Sequence, residues 1–256
     1  QLRHLILKSA CAIEKTRAHL AFTEAIALQC FINEFIYPIS DEEALLLDEL
    51  QSKMGNWTPQ RKAISAQEFL TLACYKRLNH KNWLEPVKDK AAVSSVVMYH
   101  LDHFETEKQL RRTIPTLRQI TEEVSLNVRE QYEESPYPRW VQMDFPLQSQ
   151  SLSELAAHLN LKIKAKKPIM VQKPDILVAG CGTGQHSINV SKRYADCEVL
   201  AIDLSLSSLA YAKRKTNELA CNNITYMQAD ILDLEIFDKK FDLIECIGVL
   251  HHMKNP

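Results

Sequence analysis

The sequence predicts a mixed α/β chain, a helical first half followed by a parallel sheet with crossover helices. Three observations carry this. Residues 1 to about 135 hold a single glycine and repeat their apolar residues at helical spacing. From Asp175 onward, short apolar runs alternate with amphipathic segments, the pattern of strands joined by helices. Between them in importance stands Asp175 to Asp203, DILVAGCGTGQHSINVSKRYADCEVLAID, which reads as strand, glycine turn, helix, strand and terminal acid.

In the helical half, Leu20, Ala21, Ala25, Leu28, Ile32 and Phe35 mark one face of a helix that Pro38 stops, because the residue before a proline is pushed out of the α region. Ser40 is then an N-cap, with Asp41, Glu42 and Glu43 in a first turn whose dipole favours acids. That helix continues over 44–54 until Gly55 and Asn56 break it. Ala66, Phe69, Leu70, Ala73 and Leu78 outline another, a longer pattern over 91–110 follows Pro86, and 121–134 closes the series. No period near 34 residues is visible, so a compact bundle over 1–135 is expected rather than a repeat array. His100 and His103, with Asp102 and Glu105, fall on one helix, but no cysteine or third histidine completes a metal pattern. They are read as helical surface polarity, and no metal site is expected.

Residues 136–170 form a connector. In YEESPYPRWVQMDFP, prolines at 136, 138 and 146 alternate with Tyr137, Trp140 and Phe145, which favours an ordered, extended segment. Tyr132, Tyr137 and Trp140 could serve equally as a lid or as a buried hinge. A short amphipathic helix is expected over 151–159. Lys162, Lys164, Lys166 and Lys167 follow, read as a solvated edge strand or connector rather than a nucleic-acid patch.

The second half gives strands at 175–180, 198–203, 223–228 and 241–247, with helices at 184–194 and 205–220. In an open sheet of this kind ligands sit beyond the carboxyl ends of the strands. Gly180, Gly182 and Gly184 are three of the chain's five glycines, and their lack of Cβ lets the backbone turn sharply and approach a ligand. Asp203 ends the second strand, placed to accept from ribose hydroxyls. A helix cap with Ser205 is the structural alternative. Asp230 follows the third strand and could accept an adenine amine, or simply close a turn. The dinucleotide pattern G-x-G-x-x-G is not met, since Gln185 stands where the third glycine belongs.

Composition sets limits. Apolar residues make up 46% and charged residues 25%, the balance of a globular protein, and the net charge of −1 gives no general pull toward nucleic acid or anionic membrane. Seven scattered cysteines suggest free thiols and a cytoplasmic setting. No apolar run reaches the roughly 20 residues that span a bilayer. The chain begins with Gln1 and shows no leader pattern, so a piece of a longer polypeptide is expected.

ILVAGCGTG, VLAIDLS, ITYMQADILDL and FDLIECIGVLHHM resemble successive motifs of the class I S-adenosylmethionine-dependent methyltransferases, over roughly residues 170–256. More narrowly, CFINEFIY, QYEESPYPRW and AGCGTGQHSINVSKRY are similar to bacterial methyltransferases with an N-terminal tetratricopeptide array. The resemblance implies a Rossmann-like sheet over 171–256, of which four strands are present, and S-adenosylmethionine as cofactor. Gly180, Cys181, Gly182 and Gly184 would face its methionyl and ribose parts, Asp203 and Leu204 the ribose, Asp230 and Ile231 the adenine, and Glu245 and Cys246 the region beside the sulfonium. Cys181 has no paired base and is read as a small filler rather than a nucleophile.

Two positions depart from that family. Val178 stands where members commonly carry an acid, and Glu245-Cys246-Ile247-Gly248 replaces the Pro-Pro-aromatic ending of enzymes that methylate planar nitrogens. His251 and His252 are the candidates for a general base. The expected activity is methyl transfer to a protein, peptide or small molecule. The alternative is a non-catalytic interaction module on a degenerate methyltransferase fold. A partner is expected through the helical half or along the exposed edge of strand four, with no nucleic acid and no membrane.

Overall fold

The structure is a computed structural model that describes residues 1–10, 16–55, 63–78, 84–87, 89–146, 148–158 and 171–253. Cys11, Asn56, Leu159 and the four lysines of LKIKAKKP lie outside the described residues. Two compact units emerge, residues 1–106 and 107–256.

The first unit is helical, with α1 (Leu2–Ser9), α2 (Arg17–Ile32), α3 (Asp41–Gly55), α4 (Ala66–Ala73) and α5 (Ser94–Val97). A π-turn over Met98–Asp102 leads into α6 (His103–Arg111), so the expected helix over 91–110 is built from 3-10, α and π turns in sequence. The predicted cap of α3 is present: Ser40 Oγ accepts from the Glu43 N–H at 3.3 Å while Glu43 Oε2 accepts from the Ser40 N–H at 2.9 Å. Ser65 and Glu68 repeat that reciprocal arrangement at the start of α4. Phe69, Leu70, Leu72, Val93 and Val96 are fully enclosed, and α4 runs through the middle of the unit. His100 corrects an expectation. It is buried, stacks on the Phe31 ring with centroids 4.6 Å apart, and its Nδ1 accepts from the Leu78 N–H at 3.2 Å. A helical histidine's period alone does not tell core from surface. No metal-holding cluster of His, Cys, Asp and Glu occurs among the described residues.

The second unit holds α7 (Glu123–Glu134), α8 (Leu152–His158), β1 (Asp175–Ala179), α9 (Gln185–Arg193), β2 (Glu198–Asp203), α10 (Leu206–Glu218), β3 (Ile224–Gln228) and β4 (Leu243–Glu245). All strands are parallel in the order β3-β2-β1-β4. Strand alternation distributes the core to two faces. Ile176, Val178, Val199 and Ala201 pack with Leu209 and Ala212 of α10, while Leu177, Ala179, Leu200 and Ile202 face Leu117, Ile231 and Phe241. The chain runs outward from β1 to β3, then returns to β1's other side as β4. The crevice of such a sheet lies where that reversal occurs.

The division between units falls at 106–107, whereas helical periodicity groups residues up to about 135 together. The physical reason is long-range pairing. Leu117 N–H donates to Gln228 C=O at 2.9 Å and Gln228 N–H donates to Pro115 C=O at 2.8 Å, so the 115–117 segment pairs with the last residue of β3. Glu107 pairs with Arg214 of α10 at 2.9 Å in a nearly buried contact. On the opposite side β4 is short, and Ile244 is 60% exposed, so its outer edge is open among the described residues. No helix among the described residues is long and apolar enough to cross a membrane.

Candidate cofactor pocket

A cavity of about 590 Å³ opens at the carboxyl ends of the strands, within the size range of small-molecule sites. Gly180, Cys181 and Gly182 form its floor with Asp203 and Leu204, while Asp230, Ile231 and Leu232 line one side. All three turn glycines have positive φ, at +73°, +52° and +83°. They do different work. A Cβ at Gly180 would stand 2.2 Å from Val249 Cγ2, and one at Gly184 would stand 2.5 Å from Ala212 Cβ, so these two permit close packing on the segment after β4 and on α10. At Gly182 the nearest atom is Tyr137 O at 4.0 Å, and the bare backbone faces the cavity.

Asp203 joins the turn to β2. Its Oδ2 accepts from the Gly182 N–H at 2.8 Å and its Oδ1 from the Ser205 N–H at 2.9 Å. Both readings of this residue therefore hold at once, because the carboxylate organises the start of α10 and still lines the cavity. Burial pushes its carboxyl above the usual range, partly offset by the Ser205 and Gly182 N–H groups. Asp230 Oδ1 accepts from Leu232 N–H at 3.0 Å, starting the 3-10 helix Ile231–Ile236. Burial, and then the Asp203 charge, push the Cys181 thiol well up, which fits an inert filler.

The aromatic connector is strapped over the glycine turn. Thr183 Oγ1 donates to Pro138 C=O at 2.6 Å, and Trp140 Nε1–H donates to Thr183 C=O at 3.1 Å. Trp140 is buried, its backbone N–H donating to Tyr211 Oη at 3.1 Å, while Tyr137 is 59% exposed and lines the cavity with Tyr132. Tyr132 and Tyr137 thus line the cavity, while Trp140 is buried.

The remaining sequence candidates sit elsewhere. Gly184, Glu245, Cys246 and His251 are not among the lining residues, and His251 is exposed. The chain after β4 reaches the cavity through Ile247, Gly248, Val249 and Met253 instead. Strand β4 stops at Glu245, earlier than the expected residue 247, which turns the following backbone inward. His252 ends a 3-10 turn, Leu250–His252, and its side chain lies outside the described residues. Glu245, the register partner of Val178 on β1, instead pairs with His186 Nε2 at 2.6 Å and accepts from Tyr194 Oη at 2.9 Å. The His186 hydrogen bond is the leading cause that holds its carboxyl below the usual range.

Three further features complete the cavity, of which the sequence singled out only Tyr132. His186 lines it from the second residue of α9, Glu122 to Tyr132 of the α7 region form a wall, and Ser208 lies at its edge. Ser208 is 1% exposed and its Oγ has no hydrogen-bond partner among the described residues. A buried, unpaired hydroxyl beside an open glycine backbone and two acids fits a ligand bearing several hydroxyls and a flat base.

The family model described as a methyltransferase domain matches residues 176–256. Over these residues the chain is similar to the class I methyltransferases. S-Adenosylmethionine is the cofactor of that class. Among curated proteins, a probable (S)-tetrahydroprotoberberine N-methyltransferase of Papaver bracteatum is 34% identical over 80 residues, 31% of this chain and 22% of that protein. An uncharacterized protein of Methanocaldococcus jannaschii is 32% identical over 121 residues, 46% of this chain and 48% of that one. The chain spans less than half the length of these curated relatives. A solved magnesium protoporphyrin IX methyltransferase from Synechocystis with bound S-adenosylhomocysteine is 20% identical, covers 51% of this chain and 61% of that chain, and has a TM-score of 0.35.

Proposed function

We propose that the chain transfers a methyl group from S-adenosylmethionine to an acceptor held against the same pocket. The observation that carries this reading is the joint held by Asp203, which ties Gly182 to the end of β2 on the cavity floor. When bound, the cofactor supplies a methyl group already activated by its positive sulfur. Asp203 would accept from the ribose hydroxyls, with the unpaired Ser208 Oγ close by, and Asp230 from the adenine amine. Ile231 and Leu232 would cover the base. Tyr132, Tyr137, Val124 and Val128 exclude water from the remaining space, which strengthens alignment of donor and acceptor.

No lysine or arginine occurs among the described lining residues, and Glu122 is the acid there that the cofactor assignments leave unused. This favours a neutral or cationic acceptor, in a protein, a peptide or a small molecule, over a polyanionic one. Calorimetric titration of the intact chain with S-adenosylhomocysteine tests the cofactor reading. Binding is expected in the wild type, with at least a tenfold loss for Asp203→Ala; absence of binding overturns it. Transfer of labelled methyl to lysate fractions then separates protein acceptors from small ones, and a labelled nucleic-acid fraction would contradict the acceptor reading.

A further inference from the structure

His186 belongs to no role assigned above, yet its surroundings are specific. The residue lines the cavity, its side chain is 27% exposed, and Nε2 meets Glu245 Oε2 at 2.6 Å. Glu245 cannot swing away, because its other oxygen accepts from Tyr194 Oη. The His186 hydrogen bond first, and the Arg193 charge as a lesser cause, hold the Glu245 carboxyl below its usual range. Among the described residues that line the cavity, no lysine or arginine occurs, and His186 is the side chain there able to carry positive charge.

Position matters as much as charge. Asp203 and Asp230 follow β2 and β3, whereas His186 follows β1 and its partner ends β4. With the order β3-β2-β1-β4, the acid side and the imidazole side are separated by roughly two strand spacings, about 10 Å. A nucleoside seated over the acids would extend whatever hangs from its 5′ carbon toward His186. In an adenosyl thioether that extension ends in an α-ammonium and an α-carboxylate.

We infer that His186, held by Glu245, binds the α-carboxylate of the bound cofactor and makes the amino-acid end a determinant of ligand choice. This rests on the nucleoside reading above. His186 touches the ligand. Glu245 is a positioning residue that acts through it, fixing the ring by the contact at 2.6 Å. No bond is made or broken.

Two probes separate the proposal from the reading beneath it. S-Adenosylhomocysteine carries the amino-acid end; 5′-deoxy-5′-methylthioadenosine is the same nucleoside thioether without it. Calorimetry on the intact chain should show that His186→Ala weakens S-adenosylhomocysteine about tenfold, the scale of one charged hydrogen bond, and leaves methylthioadenosine within twofold. Glu245→Gln should give a smaller loss for the first ligand only, and Glu245→Asp should restore part of it. Methylthioadenosine binding is thus the control that each variant is folded, and His186→Gln replaces the alanine variant where that control fails. Equal losses for both ligands, or no loss for either, overturn the proposal while the nucleoside reading stands. A wild type that binds neither ligand overturns both.

Discussion

Gly182 and Asp203 are joined by a hydrogen bond of 2.8 Å from a backbone N–H to a carboxylate, across 21 residues and between two adjacent strands. The bond fixes the glycine turn in the shape that leaves its backbone bare toward the cavity. It also explains why one acid can serve two purposes: each carboxylate oxygen has a second lone pair to offer a ligand.

Gly182 and Gly184 should therefore respond differently to alanine. At Gly182 the added methyl meets open space, and the cost is that of a left-handed residue, about 1 kcal/mol. At Gly184 the methyl would also meet Ala212 Cβ at 2.5 Å and Ala212 Cα at 2.9 Å, neither able to rotate away. That variant should lose about 3 kcal/mol, conformational strain plus overpacking. Urea denaturation of the two variants gives the comparison, and equal losses would contradict the division of roles.

The strap over the turn gives a second expectation. Tyr211 Oη accepts from the Trp140 N–H and donates to the Trp140 C=O at 2.5 Å, inside a buried contact. Tyr211→Phe leaves both backbone groups unpaired and should cost about 2 kcal/mol. Trp140→Phe keeps the backbone pair but removes the indole N–H that holds Thr183. It should cost less stability, about 1 kcal/mol, and weaken S-adenosylhomocysteine several-fold by loosening the turn. Thermal melts paired with titrations test whether stability and affinity separate in this way.

Local signals made the turn, Asp203, Asp230 and the cap at Ser40 legible, because each is written in adjacent residues. The α7 wall was harder. Val124, Val128 and Tyr132 repeat at four-residue intervals and line the cavity as one stripe, but a stripe does not announce what it faces. Residues 107–118 were read with the helical half because Thr116 meets Gln228 across 112 positions, a pairing no periodicity contains. Glu245 ends β4, within the strand expected over 241–247, and is not among the residues that line the cavity. Its orientation toward His186 follows from strand alternation only once the end of β4 is known.

In the helical unit, Glu43 makes stability depend on pH. Burial alone would raise its carboxyl, but the Ser40 N–H, the Tyr75 hydroxyl and the Ser40 hydroxyl hold it down to about 2. Since the folded value lies below the unfolded one, the contribution is complete above about 4.3 and is lost as pH falls from there toward 2. Glu43→Gln should cost this unit about 2 kcal/mol at pH 7, with the deficit shrinking across that acid window. Guanidinium titrations of wild type and variant at a series of pH values measure it; a deficit constant down to pH 2 would assign the loss to packing.

Glu107 and Arg214 test the division between units. Their side chains are 10% and 5% exposed, and Arg214 is further tied to Glu218 along α10. Breaking such a pair from one side leaves a buried charge, so Arg214→Met alone should cost about 3–5 kcal/mol. Replacing both partners removes the stranded charge, and Glu107→Leu with Arg214→Met should recover most of the loss. If residues 107–118 are part of the sheet unit, the single variant lowers the unfolding transition that S-adenosylhomocysteine stabilises. The transition of the first helical unit should stay in place. Loss confined to the helical transition, or no recovery in the double variant, would instead place Glu107 outside the sheet unit.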